Sequence, residues 1–303
     1  MGCIAECAPD RRVRRMGQLL GVASSSYYAW RARARRTEPT PRAARHQAIA
    51  ARIRIRHAAA NGMLGRRPMQ QLLRDADGIA CSLGTVHRIM AEQGLAARRH
   101  RRRGTTTRRD GAAAGAIPDR LVAADGARDF TSDAPGTRTV GDLTYIPTDQ
   151  GWTYLSTVLD LATRAVIGWS LRDAPTSAGA VAALTMARTQ GRLADAAIFH
   201  SDHGTQYTSH AFRDCCAALG VRQSLGRTGV CYDNAVAEAF FATLKGDLGH
   251  GRRYASRTEA RCAIVTYIEG WYNRQRPHGH NAGRPPLIAW DQTTWPAASL
   301  HQP

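Results

Sequence analysis

Lysine is almost missing from this chain: of its 42 basic residues 41 are arginine, and the exception is Lys245. A GC-rich genome produces such a bias, so the amount of arginine alone identifies no partner. No run of 18 or more apolar residues occurs, which excludes an ordinary membrane-spanning helix. The opening MGCIAECAPDRR has no apolar core of a secretory signal, and Glu6 spoils a myristoylation pattern at Gly2. A membrane is therefore not an expected partner. Cysteine is scattered as Cys3, Cys7, Cys81, Cys215, Cys216, Cys231 and Cys262. That set offers neither paired zinc knuckles nor a disulfide framework and fits mostly buried thiols in a reducing compartment.

What is present is enough apolar residue, 43% of 303, for a real core in one large or two ordinary domains. The charge is unevenly placed. Residues 1 to 110 hold 24 arginines against 7 acids, while 111 to 303 hold 18 basic residues against 17 acids. Codon bias does not confine an excess to one half, so the front half is expected to meet a polyanion, most simply nucleic acid.

Met16 to Arg36 reads as a short helix, a turn at Gly21 and a second helix opened by Ser24 to Ser26. TEPTPR, 37 to 42, breaks it, and a further helical block runs from about Ala44 to Leu95, with Ser82 as a cap and Val86, Ile89, Met90 and Gln93 at helical spacing. Basic helical hairpins are common DNA readers, although a solvated charged face explains any single one. The expected division is a helical, helix-turn-helix-like DNA-binding region over 1–97, an arginine-rich linker over 98–118, a core over 119–290 and a tail over 291–303. In the linker Arg98, Arg99, Arg101, Arg102 and Arg103 are candidates to lie along phosphates.

Past the linker the periodicity turns to β. RTVGDLTYIPT, WTYLSTVLD and RAVIGWSL are three strands joined tightly enough to be antiparallel. A helix over Thr176 to Thr189, the strand AAIFHSD, a helix over Ser209 to Leu219, the strand VRQSL, and helices over Asp233 to Leu248 and Thr258 to Asn273 follow. This is an α/β arrangement with a mixed sheet, and the proline- and glycine-rich end is expected to be irregular.

Three acids occupy unusual places. Asp142 interrupts an apolar strand, where an uncompensated charge is costly. Asp202 ends a strand between His200 and His203, and Glu238 lies on a helix whose Val236, Phe240 and Leu244 favour the opposite side. Acids on a strand centre, a strand end and a helix can converge, a donor set suited to hard divalent cations. Two such cations about 3.5–4 Å apart clamp an in-line phosphoryl displacement. Singly, each acid has a plainer account: an arginine partner for Asp142, a turn cap for Asp202, a solvated face for Glu238. Asp160 is assigned to turn chemistry.

Together VGDLTYI, HSDHGTQYTS and YDNAVAEAFFATLKGDL resemble the motif set of insertion-sequence transposases with a retroviral-integrase-like, Asp-Asp-Glu catalytic core of ribonuclease-H-like fold. Asp202 and Glu238 are 36 apart, the spacing of that family, and WTYLSTVLDLATRAVIGWSL and WYNRQRPHGH resemble its companion segments. The stretch from Arg52 to Arg99 resembles its DNA-binding region, so the likeness covers about Ala44 to Pro286. It departs at Val140, where tryptophan is usual, at Met63 and Leu64 before Gly65, and in HNAGRPP.

The resemblance implies that Asp142, Asp202 and Glu238 hold Mg2+, for which Mn2+ substitutes. It implies cleavage at element ends and transfer of the freed 3′-hydroxyl into a target duplex. Further implications are a homo-multimer at synapsis, an upstream-frame partner or fusion, and a place on the bacterial nucleoid in the cytoplasm. His200 and His203 become flanking residues. Lys245 lies seven residues after Glu238, within about 20° on the helix, and the family's basic residue at that offset contacts terminal DNA. Asn234 shares that side, although a solvated lysine at a helix end is the plainer reading of Lys245. Two rivals stand beside this one: a structure-selective nuclease of the same fold, separated by a strand-transfer assay, and a non-catalytic DNA-binding relic, separated by metal-dependent cleavage.

Overall fold

A computed structural model describes residues 13–34, 39–97, 117–123, 126–226 and 234–294. The arginine-rich stretch expected as a linker lies outside them up to residue 116. The chain divides into two compact units, Met1–Arg52 and Ile53–Pro303.

In the first unit α1 (Val13–Leu19) and α2 (Ser24–Ala34) form a short hairpin. Gly21 turns it at φ +64°, and the Val22 amide donates to Gly17 at 2.7 Å. Val13 and Tyr27 are buried against each other, with Trp30 beside them. The expected helix, Gly21 turn and second helix are all present.

The following helix, α3 (Pro41–Ala59), starts on a proline, whose missing N–H costs nothing there. In the second unit α4 (Arg66–Asp75) and α5 (Leu83–Glu92) complete the basic helical block. Ser82 caps α5 by accepting the Thr85 amide at 3.1 Å, and Val86, Ile89 and Met90 are buried. Within the block expected from Ala44 to Leu95 the chain also turns at Asn61 and Gly62, whose φ values are positive.

The core of this unit is a five-stranded sheet in the order β3-β2-β1-β4-β5. Its strands are β1 (Arg138–Thr148), β2 (Gly151–Asp160), β3 (Val166–Arg172), β4 (Ile198–Ser201) and β5 (Arg222–Leu225). The first three are antiparallel; β4 lies parallel to β1, and β5 to β4. Between them run α6 (Ser177–Thr189), α7 (Thr205–Thr208) and α8 (His210–Ala218), and after β5 come α9 (Ala235–Asp247) and α10 (Arg257–Val265).

Alternation along the strands feeds two apolar layers. Val140, Ile146, Leu155, Leu159, Val166 and Ile198 face Phe240, Leu244 and Ile264, whereas Val158, Ile167 and Phe199 face Leu184, Phe212 and Cys216. Gly141 is required by the second layer, because a Cβ there would stand 2.1 Å from the Phe199 ring. Asp160 is fully buried, accepting from the Gly136 and Thr163 amides at 2.8 Å and from the Thr163 hydroxyl at 2.7 Å. Its expected turn role is therefore what the fold uses it for.

Two expectations need correction near the C-terminal end. The helix read through Asn273 stops being α-helical at Val265 and continues as a wider π turn over Thr266–Tyr272. The end read as irregular contains α11 (Pro286–Thr294), with Pro286 in the first helical position and Leu287 and Trp290 buried in the second layer. Proline and glycine counts signalled a loop, but proline is tolerated at a helix start and the apolar pair drives docking.

Asn273 explains part of WYNRQRPHGH. Its side-chain amide accepts the Val166 N–H at 3.0 Å and donates to the Val166 carbonyl at 2.9 Å, serving the edge strand β3 as one residue of a neighbour. Asn273→Ala would leave both groups buried and unpaired. It is expected to lower unfolding stability by about 1–3 kcal/mol, read by urea denaturation; an unchanged midpoint would show that water replaces the amide.

Candidate active site

The site forms where the sheet is incomplete. β4 pairs with β1 only across Arg138–Val140 and Ile198–His200. Beyond Val140 no described strand covers that edge of β1 until the Thr148–Tyr254 bridge. Asp142 lies two residues past the last paired position, and Asp202 directly follows β4. Glu238 lies in the first turn of α9, where the helix dipole favours a carboxylate. Asn234, just before α9, donates from Nδ2 to the Gly141 carbonyl at 3.0 Å, tying the helix start to the open edge.

Asp142 senses both other acids through charge. Burial, then the Asp202 and Glu238 carboxylates, push Asp142 up to about 8, against the Leu143 amide and Lys245, which favour its ionised form. Burial also raises Asp202, while the Gly204 amide, donating to its Oδ1 at 2.9 Å, and His203 pull it back. Glu238 is exposed. Among the described residues no three His, Cys, Asp or Glu side chains already form a metal-sized cluster. The donor chemistry nevertheless fits a divalent cation: the groups are hard carboxylate oxygens, and their mutual repulsion is what a cation between them removes.

The two histidines are structural. His200 is fully buried with its Nδ1 2.8 Å from the Ser224 hydroxyl, and His203 Nε2 meets the Gly226 carbonyl. Lys245 stands on the side of Glu238, as its spacing implied. It is half-buried, its ammonium is 5.5 Å from the centre of the Tyr145 ring, burial lowers its pKa and Asp142 raises it. Asn234 is 6% exposed and donates its Nδ2 to Gly141, positioning backbone, while its Oδ1 has no hydrogen-bond partner among the described residues. Arg98, Arg99, Arg101, Arg102 and Arg103 lie outside the described residues.

Tyr207 was missed. It is 1% exposed, its hydroxyl has no hydrogen-bond partner, and burial followed by Asp142 and Asp202 keeps it protonated. A buried donor beside two carboxylates is part of the site's polarity. In the sequence it was one more residue of GTQYTS, indistinguishable from a core aromatic.

Residues 132–231 and 219–286 each match a model described as Integrase core domain, and 44–103 match an HTH-like domain. The chain is 33% identical over 274 residues to Transposase InsF for insertion sequence IS3A of Escherichia coli (strain K12), spanning 90% of this chain and 92% of that protein. It is 32% identical over 263 residues to the 31 kDa protein of insertion element IS600 of Shigella sonnei, spanning 87% and 93%. Among solved structures it is similar to the simian T-cell lymphotropic virus intasome in complex with PP2A regulatory subunit B56 gamma, at 15% identity and TM-score 0.44 over 84% of this chain and 76% of that one. The HTLV-2 integrase catalytic core domain in complex with magnesium is similar at 16% identity and TM-score 0.41, over 52% and 98%.

Asp142 yields a stability test. Its folded pKa of about 8 exceeds its ordinary 3.8, so folding favours the neutral acid. That contribution is complete below about pH 4 and is lost as pH rises through about 8. In chelator, Asp142→Asn is expected to be more stable than the parent by on the order of a few kcal/mol at alkaline pH, the gap closing on acidification. Thermal unfolding of both proteins across this range reads it; a pH-independent difference would remove the buried-charge explanation.

Proposed function

Because the chain belongs to the insertion-sequence transposases of the IS3 family, with an integrase core domain of ribonuclease-H-like fold and an HTH-like domain before it, we propose that Asp142, Asp202 and Glu238 are its catalytic acids. The observation that carries this is that Asp142, at the open edge of β1, lies within the charge of both the Asp202 and the Glu238 carboxylates. The family activity is DNA cleavage and strand transfer, a polynucleotidyl transfer. Its first step hydrolyses a phosphodiester at the element end, with water adding to phosphorus and the 3′-oxygen leaving as a hydroxyl. In the second step that hydroxyl attacks a target phosphodiester, one P–O bond forming as another breaks, so no covalent protein intermediate is needed.

Divalent cations, Mg2+ with Mn2+ as a substitute, would be held by the three carboxylates and supply Lewis acidity to the attacking and leaving oxygens. Around them the chain's own groups orient. Gly204 N–H fixes one oxygen of Asp202, Leu143 N–H one oxygen of Asp142, and Lys245 offers an ammonium to a nearby phosphate as a point charge. Residues 1–97 bind DNA, with 98–118 as a phosphate-following linker to the core over 119–290. Synapsis of two ends requires more than one copy, and an upstream-frame product is the expected further partner. These proteins work at the nucleoid.

Asp142→Asn, Asp202→Asn and Glu238→Gln should each abolish cleavage and joining of labelled element ends while leaving DNA affinity in chelator within about twofold, since phosphate contacts lie elsewhere. Wild-type rates in any one of the purified variants would refute its assignment. Cleavage without joining would select the nuclease reading, and neither would select the relic. Replacing Arg98, Arg99, Arg101, Arg102 and Arg103 by Gln in the full chain is expected to flatten the salt dependence of DNA binding by a slope of up to about 4. An unchanged slope would take the linker off the DNA.

A further inference from the structure

The hairpin that carries Asp142 ends in a feature the acids do not explain. Tyr145 is 42% exposed and Trp152 51% exposed, the two aromatics among the exposed large hydrophobics described in Ile53–Pro303. They are neighbours, edge to face with ring centres 5.8 Å apart, and Tyr154 stands 6.4 Å from Tyr145 on the same face. Strand register makes that face rigid, because Tyr145 lies opposite Tyr154 and Pro147 opposite Trp152. β-propensity accounts for aromatic residues in a strand. It does not account for leaving two of them side by side in water.

One cation lies against the pair and two more belong to the segment that crosses the hairpin end. The Lys245 ammonium lies over the Tyr145 ring. The segment after α9 crosses the hairpin end, where Tyr254 N–H donates to the Pro147 carbonyl at 3.1 Å and Arg253 Nε donates to Asp149 at 2.6 Å. Arg252 covers the Tyr254 ring at 4.7 Å, pairs with Glu259 at 3.3 Å and, like Arg253, is about half exposed. A protein partner for an aromatic patch calls for an apolar surround. Aromatic planes interleaved with cations match instead a strand whose bases stack while its phosphates are neutralised. In a duplex the π-faces are already occupied, so the matching occupant is unpaired.

We infer that Tyr145 and Trp152, flanked by Lys245, Arg252 and Arg253, form a stacking site for unpaired nucleotides of the DNA end held at the acids. This rests on the transposase reading of that site and adds to it a preference for opened ends. Tyr145 is three residues from Asp142, about 10 Å along the strand and on its other face, and Lys245 relates the two at the open edge, its ammonium 5.5 Å from the centre of the ring and within the field of the Asp142 carboxylate. The site would therefore take bases displaced around the open edge of β1, away from the acids, without taking part in bond breaking.

The full chain in chelator would be titrated with two element-end probes: a blunt duplex, and the same duplex with a three-nucleotide single-stranded extension carrying 2-aminopurine. The wild-type protein is expected to quench the 2-aminopurine and to bind the extended probe more tightly. Trp152→Ala and Tyr145→Ala should each weaken binding of the extended probe about tenfold and leave blunt-duplex affinity unchanged, with Trp152→Phe retaining most of it and melting temperatures showing that all fold. Equal losses on both probes, or none, would overturn the inference. So would a change in sedimentation of the DNA-free alanine variants, which would make the patch a contact between copies. Cleavage by the wild-type chain with Mg2+ is scored separately, so a chain that stacks the extension but never cuts sinks the enzyme reading alone.

Discussion

The placement of a carboxylate, Asp142, in the central strand of a sheet buried on both faces constrains much of this structure. A charge there is tolerated only where the strand edge opens, and the shortness of β4 opens it: pairing stops at Val140, and Asp142 follows. The same shortness delivers Asp202 to that spot, because β4 ends one residue before it. α9 then crosses the opening with Glu238 and Lys245 on one side and Phe240 and Leu244 buried on the other. The burial that raises Asp142 therefore belongs to the design of the opening.

The rest of the second unit holds that opening in shape. Gly141 lets Phe199 pass beneath the acid strand, and Asn234 clamps the start of α9 to it. At the other end of α9, buried Asp247 accepts Tyr267 Oη at 2.9 Å and Arg276 Nε at 3.0 Å. Both partners come from the π turn and the loop after it, so the irregular helix serves to bring a tyrosine and an arginine to one carboxylate. The helix with Glu238 and Lys245 is thus fixed at both ends, which is how a side chain on an exposed turn keeps a defined place.

Under the proposed assignment, charge and shape divide the work of the molecule. The excess of arginine precedes residue 111, whereas the catalytic region is nearly neutral in sum and organised by local opposites: three acids facing a single lysine. Affinity for a polyanion and chemistry on one of its phosphates make incompatible demands on a surface, since a field strong enough for the first would bind every phosphate alike. Keeping them on different stretches of chain resolves that conflict.

The sequence by itself determined the mixed sheet, the helical front region, the elements on which the three acids lie, the structural role of Asp160 and the face of Lys245, because each rests on periodicity, motif or a fixed helical angle. It gave no sign that the Asn234 amide nitrogen meets a backbone carbonyl 93 residues away. It missed Tyr207, whose burial beside two aspartates exists only once its ring packs on Phe199 and Phe212, and it took α11 for a loop because Leu287 and Trp290 have no partners in their own neighbourhood. Local patterns state which way a residue faces along its own element. Which carbonyl, ring or carboxylate it then meets is set by long-range packing, and that only the tertiary structure decided.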